Sequence, residues 1–123
     1  MAQPADVVRA LFERMQARDW DGAAALLAPD LTVEWTQTGE RFEADGFVAM
    51  NQAYPEGWSI DVVETLGAGS RVAAQVRVDQ PPHTFWCAGF YEVVDGQVVS
   101  GVEHWVTAGS EPPPEWRQRF TAP

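Results

Sequence analysis

The last strand-forming segment of the chain carries a carboxylate that could do chemistry. Residues 97–107 are rich in β-branched and aromatic residues and contain no proline, which predicts a β-strand. Because side chains alternate between the two faces of a strand, Glu103 shares a face with Gly101 and Trp105. A carboxylate among apolar neighbours needs a partner or a proton. Glu103 is therefore the first candidate for a general acid or base.

A second pair of ionisable residues lies on an earlier predicted strand. Arg77 and Asp79 are two residues apart, so their side chains share one face of that strand. If Glu103 and Asp79 both lie near the guanidinium of Arg77, the two carboxylates would titrate at separated pKa values. The two histidines and Cys87 lack the spacing of metal ligands, and no serine lies in a G-x-S-x-G motif. We therefore expect no metal site and no cofactor.

The elements that would position these residues are helices followed by strands. Pro4 and an apolar stripe from Val8 to Met15 predict a first helix. Shorter helices are predicted at 23–28, where Pro29 would end the helix, and at 46–54. Strands are predicted at 31–37, around Phe42, and at 58–66, 71–79, 83–94 and 97–107. This order indicates a single α+β domain over residues 1–123.

Composition narrows the classes of function. The chain of 123 residues has a formal net charge of −10, which argues against nucleic acid or an anionic membrane as partner. Cys87 is the single cysteine, and neither a signal peptide nor an apolar run long enough for a membrane span is found, so we expect a cytoplasmic protein. Six tryptophans indicate a ligand cavity or a subunit interface.

Four motifs connect the chain to a known family. They are A-R-D-W-D-G-A-A-A-L-L-A-P-D-L-T-V-E-W at 17–35, R-V-D at 77–79, F-Y-E-V-V-D-G-Q-V-V at 90–99 and V-E-H-W at 102–105. With the order of elements, they resemble the NTF2-like superfamily, in particular its SnoaL-like and limonene-epoxide-hydrolase-like members. The resemblance implies a cone-shaped fold, in which three N-terminal helices pack on a curved, mostly antiparallel β-sheet and enclose a pocket for a small, largely apolar molecule.

The resemblance to limonene-type epoxide hydrolases implies a catalytic cluster in that pocket. Glu103 would deprotonate the attacking water, Asp79 would protonate the opening epoxide oxygen, and Arg77 would bridge them. Val33 and Trp35 occupy the positions where that family has a tyrosine and an asparagine that position water, so Gln75 or Tyr91 would have to substitute. The substrate-binding residues that the resemblance implies are Met15, Trp35, Met50, Tyr54, Gln75, Cys87, Tyr91 and Trp105.

Other functions remain open on the same residues. A SnoaL-like cyclase, isomerase or dehydratase needs one acid or base, which Glu103 alone could supply. The steroid isomerases of this fold place their catalytic groups at positions that match Trp35, Leu11 and Gly89, and none of these can take those roles. Alternatively, Arg77 and Glu103 form a structural ion pair in a non-catalytic small-molecule-binding protein.

The outer sheet face and the tail give two further expectations. Trp86, Phe90 and Val102 would lie on an apolar outer face, through which members of the resembled family commonly dimerise, so we expect a homodimer. The proline-stiffened tail contains Trp116, which we expect to pack back on the body of the domain.

Overall fold

The computed structural model describes residues 2–123. Three α-helices precede most of the strands, which confirms the predicted α+β class. The helices are α1 (Pro4–Gln16), α2 (Trp20–Ala25) and α3 (Ala44–Ala53). The strands are β1 (Leu27–Trp35), β2 (Glu40–Glu43), β3 (Ser59–Ala68), β4 (Arg71–Gln80), β5 (His83–Val94) and β6 (Gln97–Thr107), and a 3₁₀ helix (Glu115–Phe120) follows them.

The six strands form one curved sheet in the order β2-β1-β6-β5-β4-β3. Strands β1 and β6 pair in parallel, and every other neighbouring pair is antiparallel. This topology places β6, the strand that carries Glu103, between β1 and β5. In the register, Glu103 lies beside Gly89 of β5 and beside Trp35 of β1. The centre of the sheet thus brings together residues that are far apart in the chain.

Helix α1 covers the inner face of the sheet. Pro4 lies at its first turn, and Val7, Val8, Leu11, Phe12 and Met15 are buried, as the predicted stripe requires. Helix α1 packs mainly on β3 and β4. The side-chain oxygen of Gln16 accepts the backbone N–H of Ile60, so the end of α1 is tied to the edge strand β3.

Two expectations about local structure are wrong. Helix α2 begins at Trp20, capped by the Asp19 side chain, and ends at Ala25, instead of spanning the predicted 23–28. The following residues already form β1, and Pro29 falls in the irregular stretch of its pairing with β6, where a missing backbone donor is tolerated. Trp116 is 69% exposed, which shows that it does not pack on the body of the domain.

No helix among residues 2–123 has the length and apolar character needed to cross a membrane.

Candidate functional site

A cavity of about 180 Å³ lies between the inner sheet face and helices α1 and α3. Among residues 2–123, its lining is mostly aromatic and aliphatic, with neutral polar groups and a single carboxylate. The lining residues are Phe12, Met15, Trp35, Gln37, Thr38, Phe47, Asn51, Tyr54, Trp58, Ile60, Val78, Phe85, Glu103, Trp105, Val106 and Thr107. Apolar walls around few polar groups are typical of small-molecule sites.

Glu103 is the carboxylate of this lining, and it is almost fully buried, with 1% of its surface exposed. Three side chains donate hydrogen bonds to it. The indole N–H groups of Trp35 and Trp105 both donate to Oε1, at 2.8 and 3.2 Å. The hydroxyl of Tyr91 donates to Oε2 at 2.5 Å. The two carboxylate oxygens are therefore held by different kinds of donor, one by indoles and one by a phenol.

The pKa of Glu103 is raised above its ordinary value, because burial penalises the charged form. The hydrogen bonds from Tyr91, Trp35 and Trp105 act in the opposite direction and offset part of this effect. Burial and the Glu103 charge together raise the pKa of Tyr91, so its hydroxyl keeps its proton as a donor. Burial also raises the pKa of the Cys87 thiol, which makes it a poor nucleophile.

Two glycines make room for the Tyr91 ring. Tyr91 lies beside Gly101 in the β5–β6 register, and Gly89 precedes it by two residues on the same strand face. A Cβ atom at Gly101 would lie 2.9 Å from Cδ1 of Tyr91, and one at Gly89 would overlap its hydroxyl oxygen. Phe12 of α1 packs edge-on against the other side of the ring at 6.2 Å. The ring is thus fixed so that its hydroxyl reaches Glu103.

Aromatic packing also fixes the two indoles that bind Glu103. The rings of Trp35 and Trp105 lie 5.9 Å apart, and Phe42 contacts Trp35 at 5.1 Å. Because these residues come from neighbouring strands β1, β2 and β6, the sheet itself sets the spacing of the N–H donors. The same rings form part of the cavity wall.

The opposite wall is held by Arg18. Its guanidinium lies over the ring of Trp58, 3.4 Å from the centroid, and donates to the Trp58 carbonyl oxygen. It also binds both carboxylate oxygens of Glu56, at 2.8 and 3.0 Å. Trp58 is 8% exposed, and its Nε1 has no partner within residues 2–123. The ring is therefore held through its π face and its backbone.

The structure brings five of the predicted site residues to the cavity: Met15, Trp35, Tyr54, Glu103 and Trp105. Three others lie next to it without lining it. Tyr91 lies behind Glu103, Cys87 is buried in the core, and Met50 packs against that core.

The prediction that Arg77, Asp79 and Gln75 share this cavity is wrong. Strand β4 buries Val72, Ala74 and Val76, and these pair with the inward residues of β5. The three polar residues alternate with them and thus lie on the outer sheet face.

Arg77 pairs with Asp79 at 3.1 Å on that outer face, with both side chains about half exposed. Asp79 also accepts from the Thr84 hydroxyl. The sheet thus separates Glu103 from both residues, and neither the predicted catalytic cluster nor the alternative Arg77–Glu103 ion pair forms. The physical reason is the apolar alternation of β4, which decides which face is buried.

The partners of Glu103 were missed by sequence reasoning. Trp35, Tyr91 and Trp105 were expected to contact substrate, whereas all three donate to the carboxylate. The spacing of Glu103 and Trp105 on one strand face was a usable signal. The contribution of Trp35 depends on the parallel β1–β6 pairing, which no local pattern reveals.

In the part of the chain that the structure describes, no three His, Cys, Asp or Glu side chains are grouped so that they could hold a metal ion.

Comparisons with known proteins agree with the fold. A family model described as a SnoaL-like domain matches residues 8–101. A solved structure from Kribbella flavida, provisionally named a ketosteroid isomerase, shares 31% identity with a TM-score of 0.86, over 98% of this chain and 88% of that one. No protein with curated function matches by sequence.

Two further solved structures show the same fold at lower identity. An LEH-like epoxide hydrolase from M. tuberculosis is 20% identical with a TM-score of 0.71, over 84% of this chain and 82% of that one. A protein from Streptomyces antibioticus, provisionally named a polyketide cyclase, is 18% identical with a TM-score of 0.73, over 87% and 93% of the two chains. The NTF2-like resemblance is confirmed.

Proposed function

The chain belongs to the SnoaL-like domain family, and on that basis we propose that it is a cofactor-independent enzyme that moves protons within a small, largely apolar molecule. Glu103 acts as its acid and base. The observation that carries the proposal is a buried carboxyl with a raised pKa, in contact with an apolar cavity. A pKa shifted upward toward the operating pH makes a carboxylate a better base and its protonated form an available acid.

Each proton has a defined course in this reaction. Ionised Glu103 removes a proton from a carbon next to a carbonyl group of the ligand, which leaves an enolate and a protonated carboxyl. The same carboxyl returns the proton to another carbon in an isomerisation, or to a departing hydroxyl in a dehydration. In a cyclisation, the enolate carbon attacks a second carbonyl, whose oxygen takes the proton. Donors from Trp35, Trp105 and Tyr91 stabilise the carboxylate form that is present before the first proton transfer and after the last.

Water addition to an epoxide has less support. The mechanism implied by the sequence needs a guanidinium and a second carboxylate beside Glu103, and Arg77 and Asp79 lie on the other side of the sheet. Isomerisation, cyclisation or dehydration needs one carboxyl, which Glu103 supplies in the cavity. These three reactions therefore fit the cavity better than water addition to an epoxide.

A non-catalytic small-molecule-binding protein is the second candidate. The observation in its favour is that Glu103 already accepts three hydrogen bonds and is 1% exposed. A carboxylate satisfied in this way also fits a purely structural role.

Proton exchange separates the two candidates. In deuterated buffer, NMR would follow loss of the α-proton signals of simple cyclic and aryl ketones. We expect the wild type to catalyse the exchange. In Glu103→Gln the exchange rate should fall by about 10²–10⁴-fold, the range typical of a general base. Arg77→Gln is the matched control and should stay within about twofold of wild type, since that residue is on the outer face. Equal exchange in wild type and Glu103→Gln would refute catalysis by this residue.

We also propose that the protein forms a homodimer through the outer sheet face. Phe90 is 45% exposed and Val106 is 59% exposed, and half-buried Trp86 and Val102 lie on the same face. A monomer rarely leaves such a patch in water. Sedimentation equilibrium at micromolar concentration tests this proposal, and a monomer would refute it.

A further inference from the structure

We propose that the cavity takes an uncharged molecule built on a single ring, and that it excludes both fused multi-ring compounds and anions. This ligand class belongs to the Glu103 cavity described above, and its relevance to catalysis rests on the proposed function. It is carried by the volume of the cavity, the fixation of its walls and the charges of its lining.

The volume sets the size of the ligand. The cavity measures about 180 Å³. An apolar protein cavity of roughly 150 Å³ takes up benzene, whereas pockets for drug-sized ligands span about 300–1,000 Å³. A six-membered ring with one short substituent therefore fits. A fused tetracyclic molecule would have to leave most of its apolar surface in water.

The walls have little freedom to widen. Phe12 and Phe47 are 2% and 3% exposed and belong to the main core. Trp35 and Trp105 are bound to Glu103, so moving either ring would remove a donor from a buried carboxylate. Trp58 is held by Arg18. A larger ligand would thus have to break packing or hydrogen bonds in each of these walls.

The charges of the lining select an uncharged ligand. Within residues 2–123, the lining includes no arginine, lysine or histidine, and Glu103 is its one carboxylate. An anionic ligand would meet a like charge in an apolar setting with no partner, and the net charge of −10 adds long-range repulsion. A cationic ligand would have to leave water for an apolar cavity whose one carboxylate, among residues 2–123, already accepts three hydrogen bonds.

Binding of four compounds tests the inference. The quenching of tryptophan fluorescence, supported by calorimetry, would be measured with acetophenone, benzoate, protonated benzylamine and androstenedione, a neutral tetracyclic ketone. We expect saturable binding of acetophenone, and binding of each of the other three at least tenfold weaker. Absence of saturable acetophenone binding would overturn the inference, as would equal or tighter binding of any of the other three.

A variant pair locates the binding in this cavity. Val78→Ala enlarges the lining, and Val76→Ala is the matched control, since it removes the same atoms from a buried position of the same strand outside the lining. We expect Val78→Ala to strengthen the binding of 2-acetonaphthone, a two-ring ketone, by at least fivefold. Val76→Ala should leave it unchanged. An equal effect of both variants, or no effect of Val78→Ala, would contradict the assignment.

The outcomes distinguish this inference from the proposed function. Selective acetophenone binding without Glu103-dependent proton exchange would leave the ligand class intact and refute the proposed enzyme. Glu103-dependent exchange on androstenedione with no binding of acetophenone would support the enzyme and refute the ligand class.

Discussion

Tyr91→Phe tests how the buried carboxylate is stabilised. The substitution removes only the hydroxyl that donates to Oε2 of Glu103, and the ring still fits between Gly101 and Phe12. A hydrogen bond to a charged group contributes about 1.5–3 kcal/mol, and one between neutral groups about 1 kcal/mol. We therefore expect the free energy of unfolding to fall by about 2 kcal/mol where Glu103 is ionised, and by about 1 kcal/mol where it is protonated.

The pH dependence follows from the raised pKa of Glu103. Because its pKa is higher in the folded than in the unfolded state, its contribution to stability is fully present below the unfolded value and is lost as pH rises through the folded value. The Tyr91 hydroxyl lowers the folded pKa, so its removal raises that pKa further. The stability gap between wild type and variant should thus widen as pH rises through the folded pKa of the wild type.

Urea unfolding across pH 5–8.5, followed by tryptophan fluorescence, measures this gap. Tyr54→Phe is the matched control, since Tyr54 is 39% exposed and its hydroxyl is not among the donors to Glu103. The control should change stability by less than about 0.5 kcal/mol. A pH-independent gap, or equal losses in the two variants, would refute the reasoning.

Three further outcomes are expected from other parts of the molecule. Cys87, buried and with a raised pKa, should react with a thiol reagent at least 100-fold more slowly in the native protein than in urea; equal rates would contradict its burial. Phe90→Glu places a charge on the proposed dimer face and should give a monomer in sedimentation, whereas an intact dimer would place the interface elsewhere. Arg18→Met removes the guanidinium from Trp58 and Glu56, so acetophenone should bind several-fold more weakly than to wild type, and unchanged affinity would show that this wall does not need the ion pair.

Much of the fold follows from sequence because its signals are local. Strands β5 and β6 begin and end at the predicted residues, since long segments rich in β-branched and aromatic residues flank a favoured Asp95-Gly96 turn. Helix α1 follows from Pro4 and its apolar stripe. The boundary between α2 and β1 was misplaced because the parallel pairing with β6 recruits residues around Pro29 into the strand.

The site was only partly predictable, and β4 shows why. Its residues alternate between apolar and polar side chains, and that alternation alone predicts that Val72, Ala74 and Val76 face inward. The resemblance to epoxide hydrolases instead predicts that Arg77 faces inward. In the structure the apolar residues of β4 face inward and Arg77 lies on the outer face. On β6, the alternation of side chains placed Glu103 on one face with Gly101 and Trp105, and the structure buries Glu103 and Gly101 on that face.

Trp35 and Trp105 each serve two purposes, since they shape the cavity and also donate to the carboxylate. Selectivity and reactivity are therefore inseparable at these two positions. A substitution there that admits a bulkier ligand also shifts the acidity of Glu103. A bound molecule that tilts either indole likewise changes the basicity of the Glu103 carboxylate. An engineer who wants a new substrate with the same chemistry would have to leave both indoles in place and reshape the far wall.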